Sequence, residues 1–140
     1  MDNPQPGSNV LVLAPSLSEA KGETCLDLLG GAPPEQLDVL RVTYSGSPTE
    51  LVESWRERYG TLPDRMGIIV VGDQRGRYGE ALPELPDSVF VTTANPNDIT
   101  GLGMRLNNYL NDRDGDRQLT VCFDSMTELL QFQSITSTAA

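Results

Sequence analysis

The chain has 140 residues, 38% of them hydrophobic, which suits one globular domain and leaves no room for two. A domain of this length buries about 68–70% of its unfolded-chain surface, so a core can form without a metal or a disulfide. The longest apolar runs, Val10–Ala14 and Ile68–Val71, fall far short of a membrane span, which takes about 20 residues. Met1-Asp2-Asn3-Pro4 lacks the basic and apolar regions of a signal peptide, so a soluble, cytoplasmic protein with no membrane insertion is expected.

Twenty acidic residues face ten basic ones, a formal charge of −10, and Lys21 is the only lysine. Such an acidic, arginine-for-lysine surface fits a cytoplasm at molar salt, where screening relieves the self-repulsion; the simpler reading is an acidic protein of ordinary origin. The same charge opposes nucleic acid, whose binding rests on neutralising phosphates. There is no histidine, which removes Ser–His and Cys–His catalysis and His-ligated zinc. Cys25 and Cys122 are far apart and each lies in an apolar pattern, so two reduced core residues are expected; neither makes a metal-binding spacing.

A polar tail, 1–8, precedes Asn9–Pro15, which reads as a buried strand. Ser16-Leu17-Ser18-Glu19 has the form of a capping box and opens a helix through about Leu29, closed by Gly30-Gly31. The segment from about Leu37 to Tyr44 reads as a strand with Leu40, Val42 and Tyr44 on one face. Ser47-Pro48-Thr49-Glu50 then starts a helix that sets Leu51, Val52, Trp55 and Tyr59 on one side and ends at Gly60.

Met66–Gly72 is a third, fully apolar strand, and Asp73–Ser88, rich in Gly, Pro and charge, reads as a long mobile loop. A short strand, Val89–Thr93, leads to Asn95-Pro96-Asn97-Asp98, which starts a helix with Ile99, Leu102, Leu106, Tyr109 and Leu110 at helical spacing. After a charged turn, Leu119–Phe123 is the last strand, and Ser125-Met126-Thr127-Glu128 caps a short helix through about Phe132. A polar tail, 134–140, ends the chain. Strands that alternate with helices and are apolar on both faces mean a single α/β domain over 9–133: a three-layer α/β/α sandwich with a mostly parallel sheet.

The first strand, turn and helix occupy the place of a phosphate-binding loop, which needs G-x-x-x-x-G-K-[ST] so that backbone N–H groups, a lysine and a hydroxyl can hold phosphate and magnesium. Here Pro15-Ser16-Leu17-Ser18-Glu19-Ala20-Lys21-Gly22 keeps only the lysine, and Glu19 would point negative charge at a phosphate. An ordinary strand–turn–helix with an exposed lysine is the plainer reading. Leu119–Ser125 has the form of a Walker B strand, where a carboxylate such as Asp124 meets the magnesium. An aspartate ahead of a helix is also often just a cap.

In order, these segments resemble the KaiC/RecA-type P-loop ATPases, most nearly a haloarchaeal group of KaiC-like proteins without an assigned function. The residues that carry the resemblance are Asn9–Leu29, Val39–Trp55, Asn95–Leu110 with Asp98-Ile99-Thr100-Gly101-Leu102-Gly103, and Val121–Leu130. It covers most of the chain except the Asp73–Ser88 loop, and it implies a shortened RecA/KaiC-like core. In that family a glutamate pair precedes the Ser-Pro, one member activating the attacking water; here Ser45 and Gly46 stand there. Lys21 and Asp124 remain as vestigial nucleotide-binding residues, while the phosphate cradle, magnesium hydroxyl and base are missing. The resemblance therefore implies a pseudo-ATPase, with no catalytic residue, no cofactor and no metal unless a magnesium nucleotide binds at Asp124. About sixteen residues follow Asp124, fewer than the family's further strands require, so an open sheet edge completed by a dimer or partner is expected, or a chain shortened from a longer protein.

Two other segments have the form of a site. Asp73 follows the third strand where a receiver domain carries its phosphorylated aspartate, but the acidic pair after the first strand and the late lysine are both absent. Arg75, Gly76, Arg77 and Tyr78 form a basic and aromatic cluster that is either a solvated loop or a partner contact, with Arg75, Arg77 and Tyr78 as contact candidates. The leading expectation is a regulatory or adaptor protein acting through protein–protein contacts, self-association included. The alternative is a residual nucleotide or phosphate sensor without significant hydrolysis, and a slow ATPase completed by a partner's residues comes third.

Overall fold

The computed structural model describes residues 19–44, 47–72, 85–112, 117–124 and 129. In chain order these form α1 (Glu19–Leu29), a 3-10 turn (Pro34–Gln36), β1 (Leu37–Thr43), α2 (Pro48–Tyr59), β2 (Arg65–Val71), β3 (Val89–Ala94), α3 (Ile99–Asn111) and β4 (Gln118–Asp124). The first strand expected at Asn9–Pro15, most of the 73–88 loop and nearly all of the last helix lie outside the described residues.

The four strands form one sheet, order β3-β2-β1-β4, with every pair parallel. A parallel sheet must be covered on both faces, and this one is. On one face Cys25 and Leu29 of α1, with Val52 and Trp55 of α2, pack on Leu37, Val39, Met66, Ile68, Val70 and Val89. On the other, Leu102 and Tyr109 of α3 pack on Leu40, Val42, Ile69, Val71 and Ala94. The protein is thus an α/β fold with helices on both sides of a parallel sheet, the three-layer arrangement that the alternating pattern predicts.

Local sequence accounts for the element ends. Ser47 Oγ accepts from the Glu50 N–H at 3.1 Å and Pro48 follows at the first helical position, so α2 starts where the capping signal places it. Gly60, at φ 79°, ends α2 in a conformation that a side chain would strain. Asp98 Oδ1 accepts from the Gly101 N–H at 2.8 Å and caps α3. Within the upper layer, the Tyr59 hydroxyl donates to the Leu26 carbonyl and Arg58 pairs with Asp27, joining α2 to α1. The Trp55 indole N–H donates to the Thr61 carbonyl at 2.8 Å, so the largest core side chain is also polar-satisfied.

One expectation is corrected. Cys25 and Cys122 are not a pair of reduced core thiols: they form a disulfide that ties α1 to β4 across 97 residues of sequence. Their spacing gave no sign of this, because the helix–strand packing that brings their Cα atoms to 6.5 Å is tertiary. Of the five apolar residues at helical spacing in α3, Leu102 and Tyr109 are buried and Leu106 is half-buried, whereas Ile99 and Leu110 are exposed. The helix seats on the β2–β3 side of the sheet, so only part of its apolar arc meets the core.

Candidate functional site

Three strands run outward from β1 in sequence order, β1, β2 and β3, and the chain then returns to place β4 on the other side of β1. The reversal makes the β1–β4 boundary a topological switch point. In open parallel sheets, the crevice beyond the carboxyl ends of the strands at such a point is where ligands bind. Here those ends are Thr43 and Tyr44 of β1 and Asp124 of β4. Thr43 stands opposite Asp124 in the register, and the Tyr44 N–H donates to the Asp124 carbonyl at 2.9 Å.

Below them lies Arg41, opposite Cys122 and 6% exposed. It faces the α1 side of the sheet, where its Nη2 donates to Cys25 Sγ at 3.5 Å. Burial pushes the guanidinium's pKa down from its ordinary value, and the nearby Asp124 carboxylate pushes it back up. Arg41 was not singled out from the sequence. The available signal was a charged residue flanked by Val39, Leu40 and Val42 in the middle of a strand, together with a carboxylate at the end of the last strand.

Helix α1 runs alongside β4 in the opposite direction. Thr120 Oγ1 donates to the Leu29 carbonyl at 3.2 Å, and Cys25 joins Cys122. Four residues of helix advance about 6 Å, close to the about 6.6 Å of two residues of strand. The same step again brings the backbone of Lys21 level with Asp124. The two residues singled out at opposite ends of the sequence therefore converge at the switch point, as far as the backbone of Lys21 goes. Arg75, Arg77 and Tyr78 lie outside the described residues, as does Asp73.

The resemblance implies a magnesium nucleotide at this place, where Asp124 is the carboxylate that would meet the metal. The buried Arg41 guanidinium adds positive charge on the same side of the sheet. Among the described residues no group of three His, Cys, Asp or Glu side chains could hold a metal. What the arrangement offers a negative charge is one buried arginine near the carboxyl ends of β1 and β4.

A second buried charge cluster lies at the opposite end of β1 and on the opposite face. Asp38 is fully buried; the Tyr109 hydroxyl donates to it and lies 3.2 Å from the Val39 carbonyl. Arg65 Nη1 donates to Asp38 Oδ2 at 3.4 Å and to the Tyr109 carbonyl at 3.2 Å, and its guanidinium stacks 4.0 Å from the Tyr109 ring centroid. Gly67 lies under that ring, where a Cβ would run into it.

Apolar side chains also reach the surface. Met104 is 60% exposed, and Ile99 and Leu110, three helical turns apart, share one flank of α3. Among the described residues, no helix is long and apolar enough to cross a membrane.

The described residues thus define a parallel α/β domain whose strand order reverses at the β1–β4 boundary. The chain belongs to DUF7504, a family of unknown function, whose pattern it matches over residues 7–139. No curated protein matches it, and no solved structure does.

Proposed function

We propose that this protein is a non-catalytic regulatory or adaptor protein of the cytoplasm, a KaiC-like pseudo-ATPase that works through protein–protein contacts. The observation that carries the reading is the exposed flank of α3, where Ile99 and Leu110 reach solvent in a chain of net charge −10. Large apolar side chains aligned on an otherwise charged surface are what a partner, or a second copy, covers. The acidic surface supports a cell interior at high salt and no nucleic-acid partner.

The test is sedimentation and chemical cross-linking in molar KCl, for the protein alone and with extract from its source, using Ile99→Glu with Leu110→Glu beside Lys21→Ala with Asp124→Ala. The reading expects the α3 pair to abolish association and the Lys21–Asp124 pair to leave it intact. The reverse pattern would sink it.

Arg41 favours a second reading, a sensor of a phosphorylated ligand bound without magnesium. A buried guanidinium at a switch point favours an anion. A ligand at 100 times its dissociation constant stabilises a protein by about 2.7 kcal/mol. A thermal melt with ATP, ADP and phosphate, with and without magnesium, therefore separates the two: a shift of several degrees, lost in Arg41→Gln, selects the sensor, and no shift selects the adaptor.

A further inference from the structure

The Cys25–Cys122 bond is used by neither reading, and its surroundings are uneven. Cys25, on α1, is 9% exposed and receives the Arg41 donor at 3.5 Å. Cys122, on β4, is half-buried and is the more open of the two. An exchange reaction on a disulfide goes fastest when the attacked sulfur is reachable and the departing sulfur is held as a thiolate by a nearby cation. Arg41 beside Cys25 supplies the cation, and Cys122, though packed on the α1-side core, is the more exposed residue of the pair.

We propose that Cys25–Cys122 is a thiol–disulfide exchange site for an external dithiol, with Arg41 as the positioning residue that receives the departing thiolate. A thiolate of the dithiol attacks Cys122 Sγ. The Cys25–Cys122 bond breaks, and its electron pair leaves on Cys25 Sγ beside the Arg41 guanidinium. The dithiol's second thiol gives its proton to water and attacks its own sulfur in the mixed disulfide, releasing Cys122 as a thiolate that solvent protonates. The protein's disulfide is reduced to two thiols and the dithiol is oxidised to a disulfide, two electrons passing between them. Reduction cuts the covalent link between α1 and β4, the two elements that flank the switch point, and leaves them joined by packing and the Thr120–Leu29 hydrogen bond.

The experiment uses the whole chain, isolated without reductant in molar KCl, with dithiothreitol as the probe, thiol counting by alkylation and mass mapping, and Trp55 fluorescence as the fold reporter. The site predicts an intact disulfide at the outset, reduction while the Trp55 signal stays native, and a monothiol adduct, trapped with 2-mercaptoethanol, on Cys122 in at least tenfold excess over Cys25. Arg41→Gln slows reduction at least tenfold, whereas Arg41→Lys recovers most of the rate. In the reduced wild-type protein, the pH midpoint of Cys25 alkylation lies at least one unit below that of Cys122, and this measurement decides the matter should Arg41→Gln fail to fold. Two free thiols at the outset, reduction only on unfolding, adducts mainly on Cys25, an Arg41→Gln rate within twofold of wild type, or equal midpoints would each overturn the proposal.

Discussion

Strand β1 carries two buried charges three residues apart, Asp38 and Arg41, and the two are set in different ways. Asp38 lies on the α3 face near the start of the strand, held by the Tyr109 hydroxyl and by Arg65, with the aromatic ring closing over Gly67. Arg41 faces α1 two residues short of the strand's carboxyl end, against a disulfide sulfur and a carboxylate at the switch point. The first cluster is architecture: a carboxylate that locks the last turns of α3 to the starts of β1 and β2. The second stands where parallel α/β sheets bind their ligands. A buried charge is costly in either place unless paired, so what separates the two is position along the strand, not burial.

That contrast can be broken by mutation, with stability read by chemical denaturation in molar KCl. Asp38→Ala removes the acceptor shared by Tyr109 and Arg65 and is expected to cost about 3–5 kcal/mol, the range for breaking a buried charged pair. Tyr109→Phe takes away only the hydroxyl and should cost about 1–3 kcal/mol, the penalty for leaving Asp38 short of a donor. Gly67→Ala overpacks the same spot and should fall in a similar band of about 1–3 kcal/mol, with a lower near-ultraviolet circular dichroism signal from the displaced ring. At the other end, Asp124 is half-buried at a strand terminus, so Asp124→Asn should cost no more than about 1.5 kcal/mol. If Asp124→Asn matched Asp38→Ala, the carboxyl end of β1 would be architecture too, and the distinction between the two ends would fall.

Much of the fold is legible in the chain. The alternation of strands and helices, the Ser47-Pro48 and Asp98 starts and the Gly60 stop are local signals, and the structure places β1, α2, β2, β3, α3 and β4 within a residue or two of where those signals put them. The candidate site was legible only in part. Asp124 stood out by its place at the end of an apolar strand, but Arg41, its neighbour, looked like one more charge in a strand. Which face it takes, and that α1 covers that face, depends on how helices distribute over the sheet. How much of α3's apolar arc is covered is equally outside the sequence: helical spacing finds the arc, and only the seat of the helix decides how much of it is buried.

By itself, then, the sequence determined the class of fold, the kind of element in each described segment, and a net charge of −10, because these depend on periodicity, capping and charge that neighbours in the chain already express. Tertiary structure decided the strand order with its switch between β1 and β4, the meeting of Arg41 with Asp124, the level placement of the Lys21 backbone, and the joining of Cys25 to Cys122. Each of these brings together residues tens of positions apart. Such proximity is set by which surfaces pack, an outcome of the whole core that no local pattern contains.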